Sequence, residues 1–225
     1  MCGRFILTVE APYLQQEFRL GDLPLDWQSR YNIAPSQPVA VVRDAQARNV
    51  EWMRWGLVPF WANDVKIGNR MINARAETLQ EKPAFRTAFQ KRRCLILADG
   101  FYEWQKPANK RGRSTPYLIR LRDHKPFAFA GLWEFWKSKE GEELLSCTII
   151  TTQANSLVEK IHDRMPVMLS GDRLWEWLQM NEAGELNNLL RPYPADQMEA
   201  VEVSPLVNNP VADSPEVARP LERLI

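Results

Sequence analysis

The sequence is short of the residues from which most metal and redox centres are built. It has two histidines, His124 and His162, and three cysteines, Cys2, Cys94 and Cys147, in 225 residues. No C-x-x-C pair occurs, and an odd cysteine count argues against a disulfide framework. Two histidines cannot make a His-rich metal site, and Cys and His fall at no zinc-ligand spacing. The ten glycines fall singly, so neither a dinucleotide-binding loop nor a Walker loop is present. No apolar run approaches the roughly 18 to 20 residues of a membrane span. At the start, Phe5-Ile6-Leu7 is too short for a secretory core and is followed by Thr8 and Glu10. These absences point to an intracellular chain with no cofactor, no metal and no membrane partner.

What is present is an ordinary globular composition, 45% apolar and 25% charged, with a net charge of +1. Global charge therefore names no partner. Its distribution is less even: residues 86–113 carry eight basic side chains against Asp99 and Glu103, and residues 171–225 carry ten acids against four arginines. Such asymmetry allows an anionic partner on one face, or simply a solvated, ion-paired surface. Cys94 and Cys147 sit in apolar runs and read as core residues. Nine tryptophans are many for this length; most belong in a core, but aromatics are also what unpaired bases stack on.

The length fits one domain spanning residues 1–225, and no repeat or linker divides it. Strand-like runs lie at 4–8, 38–42, 50–57, 94–98, 101–105, 116–121, 127–133 and 144–151, with shorter ones at 167–169 and 200–203. Helix-like stretches lie at 11–18, 84–90, 155–161, 172–180 and 184–190. Most strands follow one another without an intervening helix. That predicts an α+β fold with a largely antiparallel, barrel-like sheet and peripheral helices, not a parallel α/β sheet. The Pro-rich, acidic residues 206–225 are expected to form an extended tail.

Cys2 is the unusual residue. Removal of the initiator Met1 would leave a free α-amine beside a thiol. The amine can condense with an aldehyde and the thiol can add to the imine carbon, closing a five-membered ring that an internal cysteine cannot form. An α-amine with a pKa of about 7.7 to 8.0 is about a tenth to a fifth neutral at pH 7. Three further polar groups stand in apolar surroundings: Asn73 in Met71-Ile72-Asn73-Ala74-Arg75, Glu103 in Phe101-Tyr102-Glu103-Trp104, and His162 before Asp163 and Arg164. Each has a structural explanation of its own: Asn73 closing a turn, Glu103 pairing with an arginine, His162 at a helix end. Desolvation of Glu103 would raise its pKa and suit it to proton transfer. With Cys2 the three supply a nucleophile, an oriented amide, a carboxyl and an imidazole, a set suited to imine chemistry.

Seven blocks in order carry a resemblance. They are Met1-Cys2-Gly3-Arg4-Phe5, Tyr31-Asn32-Ile33-Ala34-Pro35, Trp55-Gly56-Leu57-Val58-Pro59, Ile72-Asn73-Ala74-Arg75-Ala76-Glu77-Thr78, Ala98-Asp99-Gly100-Phe101-Tyr102-Glu103-Trp104, Ala130-Gly131-Leu132-Trp133 and Ile161-His162-Asp163-Arg164-Met165-Pro166. In these the chain resembles the SRAP (SOS response-associated peptidase) family of abasic-site processing proteins. The resemblance implies the SRAP fold and a sensor that shields abasic sites in single-stranded DNA through a thiazolidine crosslink formed by Cys2. It implies catalytic roles for Cys2, Asn73, Glu103 and His162. Arg4, Arg75 and Arg164 are implied at DNA phosphates, and Pro35, Trp61 and Trp104 at flanking bases. It further implies autocatalytic removal of Met1, a lyase side activity, a monomer, and a bacterial cytoplasmic, nucleoid-associated location. Two other readings stay open on the residues: a cysteine-type peptidase using Cys2 with His162 as base, and a non-catalytic single-stranded DNA-binding module. The basic stretch from Lys106 to Arg113 departs from the family pattern and either touches DNA or is solvated.

Overall fold

The longest apolar runs become the wall of a closed β-barrel. The structure is a computed structural model that describes residues 2–107, 112–180 and 183–221. In chain order it runs β1 (Phe5–Leu7), α1 (Ala11–Phe18), β2 (Arg30–Ile33), β3 (Pro38–Val42), β4 (Glu51–Trp55), β5 (Asn73–Arg75), α2 (Pro83–Lys91), β6 (Arg93–Ala98), β7 (Gly100–Gln105) and β8 (Thr115–Leu121). It continues with β9 (Phe127–Lys137), β10 (Glu143–Gln153), β11 (Arg164–Pro166), β12 (Met168–Leu169), α3 (Arg173–Gln179), α4 (Ala183–Leu189), β13 (Met198–Glu202) and α5 (Pro215–Ala218). Strands β10, β4, β3, β6 and β9 pair in that order, and β9 pairs back to β10, closing a ring of five. Every pairing in the ring is antiparallel except β10 with β4. The second sheet, β13-β8-β7-β1-β2, is antiparallel throughout. This is the α+β architecture expected from the strand-rich pattern.

Burial explains which runs form the ring. All six residues of β6 are buried, and from Cys94 to Ala98 the strand reads as a continuous apolar run and not as an alternation. Aromatic rings join barrel and sheet. Phe5 of β1 meets Trp55 of β4 at 5.1 Å and Phe129 of β9 at 5.4 Å between ring centroids, both edge-on. Phe101 of β7 meets Phe129 at 6.2 Å. Edge-to-face pairs of this kind add about 0.5–1.5 kcal/mol each beyond the area they bury. Phe5 therefore fixes the short strand that follows Cys2.

Between β4 and β5 the chain makes an excursion whose ends are held tightly. Gly56, at φ +125°, donates its N–H to Cys147 O at 2.8 Å, and a Cβ on it would stand 2.7 Å from Gly68 O. Only glycine fits that approach. Leu57 N–H to Met71 O at 3.1 Å and Trp55 Nε1–H to Ile72 O at 2.8 Å then close the loop and deliver Asn73 to the edge of β10.

Two expectations need revision. The helix expected over 155–161 is a single 3-10 turn, Val158–Lys160. Asn155 Oδ1 accepts the N–H groups of Leu157 and Val158, and the chain must reverse at once to pair β11 against β10, so one turn is all the connection holds. The stretch after Ser204 is less extended than a tail. Pro205–Asn208 form a 3-10 turn and Pro215–Ala218 a short helix, and Val207 and Val217 are fully buried with Ile6, Tyr102, Leu118 and Val203.

Candidate active site

The site is built on the N-terminal lead into β1. Cys2 is fully buried, with its Sγ 4.0 Å from Arg4 O. β1 pairs antiparallel with β7, Phe5 opposite Phe101, and Tyr102 donates its N–H to Arg4 O at 2.9 Å. Carrying that register on by two residues sets Glu103 beside Gly3, next in the chain to Cys2, close enough for its charge to act on the thiol. Glu103 is 2% exposed, and burial raises its carboxyl to about 7. Burial also pushes the Cys2 thiol well up, and the nearby Glu103 carboxylate pushes it further. Asn73, the first residue of β5, donates from Nδ2 to Cys2 O at 2.8 Å. Its Oδ1 is buried and has no hydrogen-bond partner among the described residues.

β10 carries the other half. β5 lies parallel along one side of its C-terminal end, with Ile149 opposite Asn73 and Thr151 opposite Arg75. β11 pairs antiparallel with β10, with Gln153 opposite Arg164. One strand end thus holds the Asn73–Arg75 segment and the His162–Arg164 segment. Gln105 Nε2–H donates to Lys160 O at 2.9 Å and ties the end of β7, just beyond Glu103, to the turn that leads to His162. The imidazole is partly buried, and burial lowers its proton affinity. Its Nδ1 lies 2.9 Å from Asp163 Oδ1 and 3.1 Å from the Arg164 N–H. Nδ1 cannot donate to the carboxylate and accept from the backbone at once. A neutral ring held by the backbone N–H carries its proton on Nε2.

The residues expected at DNA divide into two groups. Arg75 is exposed. Arg4 is committed within the protein: its guanidinium donates to Asn32 Oδ1 and to Val207 O, both at 2.7 Å. Arg164 grips Glu77 through both carboxylate oxygens at 2.6 and 2.9 Å and donates to Thr151 O at 2.7 Å. Trp104 is half-buried beside the site and donates its indole N–H to Asn208 Oδ1 at 2.7 Å. Pro35 is half-buried in the turn between β2 and β3. Trp61 is 49% exposed next to Phe60, over a hollow lined also by Trp136 and Lys137. The expected loss of Met1 falls outside the described residues, as do Lys110 and Arg111 of the basic stretch.

Three residues that support the site had no role assigned from sequence. Glu77 clamps Arg164. Asn32, fully buried, accepts from Arg4 and donates to the carbonyls of Asn209 and Ala212 at 2.9 and 2.6 Å. Gln105 fastens the turn before His162. Glu77 and Asn32 lie inside the quoted blocks, so their neighbourhood was visible, but partners this distant in sequence were not. Among the described residues no group of three or more His, Cys, Asp or Glu could hold a metal ion. No helix among them is long and apolar enough to cross a membrane.

A closed five-stranded barrel flanked by a second sheet, with a buried cysteine, amide and carboxyl gathered where the chain enters, defines the class of protein. The model of the family described as SOS response associated peptidase (SRAP) matches residues 1–210. The abasic site processing protein YoqW of Bacillus subtilis (strain 168) is 47% identical over 222 residues, covering 96% of this chain and 98% of its own. The abasic site processing protein HMCES of Rattus norvegicus is 32% identical, covering 100% of this chain and 77% of its own. A crystal structure of a protein from Bacteroides thetaiotaomicron superposes with a TM-score of 0.87 at 26% identity, covering 98% of this chain and 100% of its own. The chain belongs to the SRAP family.

Proposed function

We propose that this protein processes abasic sites in single-stranded DNA by forming a covalent crosslink through Cys2 once Met1 has been removed. The observation that carries the reading is the hydrogen bond from Asn73 Nδ2 to Cys2 O, made beside the buried Glu103. It fixes the backbone of Cys2, so that its amine and thiol would be presented together to one carbon.

The chemistry needs no cofactor. The neutral amine attacks C1′ of the open-chain sugar aldehyde, forming a C–N bond and a carbinolamine. Loss of the hydroxyl as water, with a proton from Glu103, gives the imine. The thiol sulfur then bonds to the carbon of the protonated imine, whose nitrogen keeps its hydrogen, and the thiol proton returns to Glu103, closing the thiazolidine with net loss of one water. A carboxyl near 7 populates both forms at neutral pH, so it can donate to the leaving hydroxyl and later accept from the thiol. Asn73 Oδ1 is a spare acceptor for the N–H or hydroxyl of the adduct. His162, whose Nε2 carries the proton when Nδ1 accepts the Arg164 N–H, would assist opening of the sugar ring.

The buried thiol also bears on the peptidase alternative. A thiolate nucleophile would have to form where burial and Glu103 both oppose it. The imine route uses the thiol only after the amine has reacted.

The test is denaturing electrophoresis of Met1-processed protein with single-stranded DNA carrying one abasic site. A shifted band is expected for wild type, none for Cys2→Ala, and none when the amine is acetylated with the thiol intact. A crosslink that survives acetylation would overturn the amine-first reading. Salt-sensitive binding with no denaturation-resistant adduct would leave only a DNA-binding module.

A further inference from the structure

Two of the three arginines expected to hold phosphates are already occupied. Arg4 is bound to Asn32 and Val207, and Arg164 to Glu77 and Thr151. Other cations near the site are not. Lys106, Arg113 and Lys160 are exposed and make no ion pair among the described residues. All three line one hollow of about 600 Å³, together with His162 and Asp163. That volume suits a nucleotide unit more than a lone anion. A second hollow of about 540 Å³, lined by Arg75, Gln153 and Arg164, shares Glu159 and Asp163 with the first. The two therefore adjoin and form a path that passes His162.

We infer that the hollow lined by Lys106, Arg113 and Lys160 is a subsite for backbone phosphates of the DNA strand on one side of the abasic sugar. The inference rests on the proposed function, which places the sugar between Cys2 and His162. The cations come from three different segments, the end of β7, the lead into β8 and the turn before His162, so the cluster is made by the fold and not by one charged run. The Lys106 ammonium lies near enough to His162 to help lower its proton affinity. Two carboxylates also stand here, Glu159 and Asp163, and Asp163 is turned toward His162 Nδ1 at 2.9 Å. Cations still outnumber carboxylates in the hollow, and Arg75 extends the basic rim along the path.

The experiment separates this subsite from the crosslinking chemistry. Binding is measured with single-stranded DNA carrying a tetrahydrofuran abasic analogue, which has no aldehyde and cannot crosslink. The triple variant Lys106→Gln, Arg113→Gln, Lys160→Gln is compared with wild type across salt concentrations. Each lost phosphate contact should reduce the slope of log affinity against log salt by about 0.7, so a loss of two to three contacts gives a fall of about 1.5 to 2. Affinity at about 0.1 M salt should fall roughly tenfold. With strands extended only 5′ or only 3′ of the analogue, the deficit should appear for one extension and vanish for the other. On true abasic DNA at saturating concentration, the triple variant should crosslink at a rate within about twofold of wild type. An unchanged slope, or an equal deficit for both extensions, overturns the subsite. So does a fall in the saturating rate without a fall in affinity. If wild type fails to crosslink at all, the proposed function is lost while the binding arms still decide the subsite. The three side chains are exposed, and an unchanged thermal midpoint verifies that the variant is folded.

Discussion

A carboxyl that is 2% exposed and titrates near 7 is useful to a proton-transfer step and costly to the fold. The folded pKa of Glu103 lies above the unfolded value of about 4.3. Between the two values the folded state binds more protons than the unfolded one, so stability falls as pH climbs through that window. Above pH 7 the full cost applies, up to about 4 kcal/mol for a shift of this size. Glu103→Gln removes the charge and keeps the shape. We expect this variant to unfold at a higher temperature than wild type at pH 8 and at nearly the same temperature at pH 4.5. Its crosslinking rate should fall about 10²- to 10⁴-fold, the usual contribution of a general acid–base group. Wild-type crosslinking should show a bell-shaped pH profile, rising as the amine loses its proton and falling as Glu103 does. A Glu103→Gln variant that keeps the high-pH limb would remove the carboxyl from the mechanism. At this scale the sequence was most informative. Cys2 stands out as the second residue, and Asn73 and Glu103 as polar residues in apolar company; Asn73 hydrogen-bonds Cys2, and the Glu103 charge acts on its thiol. The commitments of Arg4 and Arg164 were hidden, because an arginine in a sequence gives no sign of whether its guanidinium is spent inside.

Among elements, the informative case is the segment after Ser204. Asn32 in β2 sends its Nδ2 donors to Asn209 O and Ala212 O, and Asp213 accepts the N–H groups of Tyr31 and Asn32 through Oδ1. Arg30 pairs with the same carboxylate through Oδ2 at 2.5 Å. This lacing holds Asn208 against the Trp104 indole and Val207 O against Arg4, so the segment fixes two residues at the rim of the site. Asn32→Ala strips a fully buried amide and takes one hydrogen bond from each of Arg4, Asn209 O and Ala212 O, which should cost about 2–4 kcal/mol. Limited proteolysis should then cut within residues 205–221 well before the barrel unfolds. Uniform protection of that segment in the variant would show the lacing to be dispensable. The pattern of residues announced long elements best. The helix-like stretch at 11–18 is α1, Ala11–Phe18, and the run at 38–42 is β3. β5 and β11, with three residues each, are too short to show any period, yet they carry Asn73, Arg75 and Arg164. The helical spacing at 155–161 yielded to the tight connection from β10 to β11.

Over the whole molecule, the two charged blocks in the sequence do not survive as two faces. From the basic block, Arg92 pairs with Glu134 at 2.8 Å, and Arg93 is buried against carbonyls at the ends of α2 and α3. From the acidic block, Glu199 pairs with Arg120 and Asp213 with Arg30. Of the described cations in the basic block, Lys106 and Arg113 stay exposed beside His162 with no ion pair among the described residues, and Arg86 and Lys91 do the same on α2. Closure of the barrel was equally illegible, because it depends on β4 and β10 pairing in parallel between residues about 90 positions apart, Arg54 with Ser146, and no local signal marks that. Closure has a measurable consequence. Cys94 on β6 and Cys147 on β10 are fully buried in strands of one ring, and burial pushes both thiols well up. A closed ring has no free edge from which to fray. The two thiols should therefore become reactive only when the whole barrel opens. In native buffer, labelling of both by a thiol reagent should be slow. Urea should accelerate both with one common slope, equal to that of global unfolding followed by tryptophan fluorescence. If either thiol labels at a rate that urea does not change, its strand opens locally and the ring is not one cooperative unit.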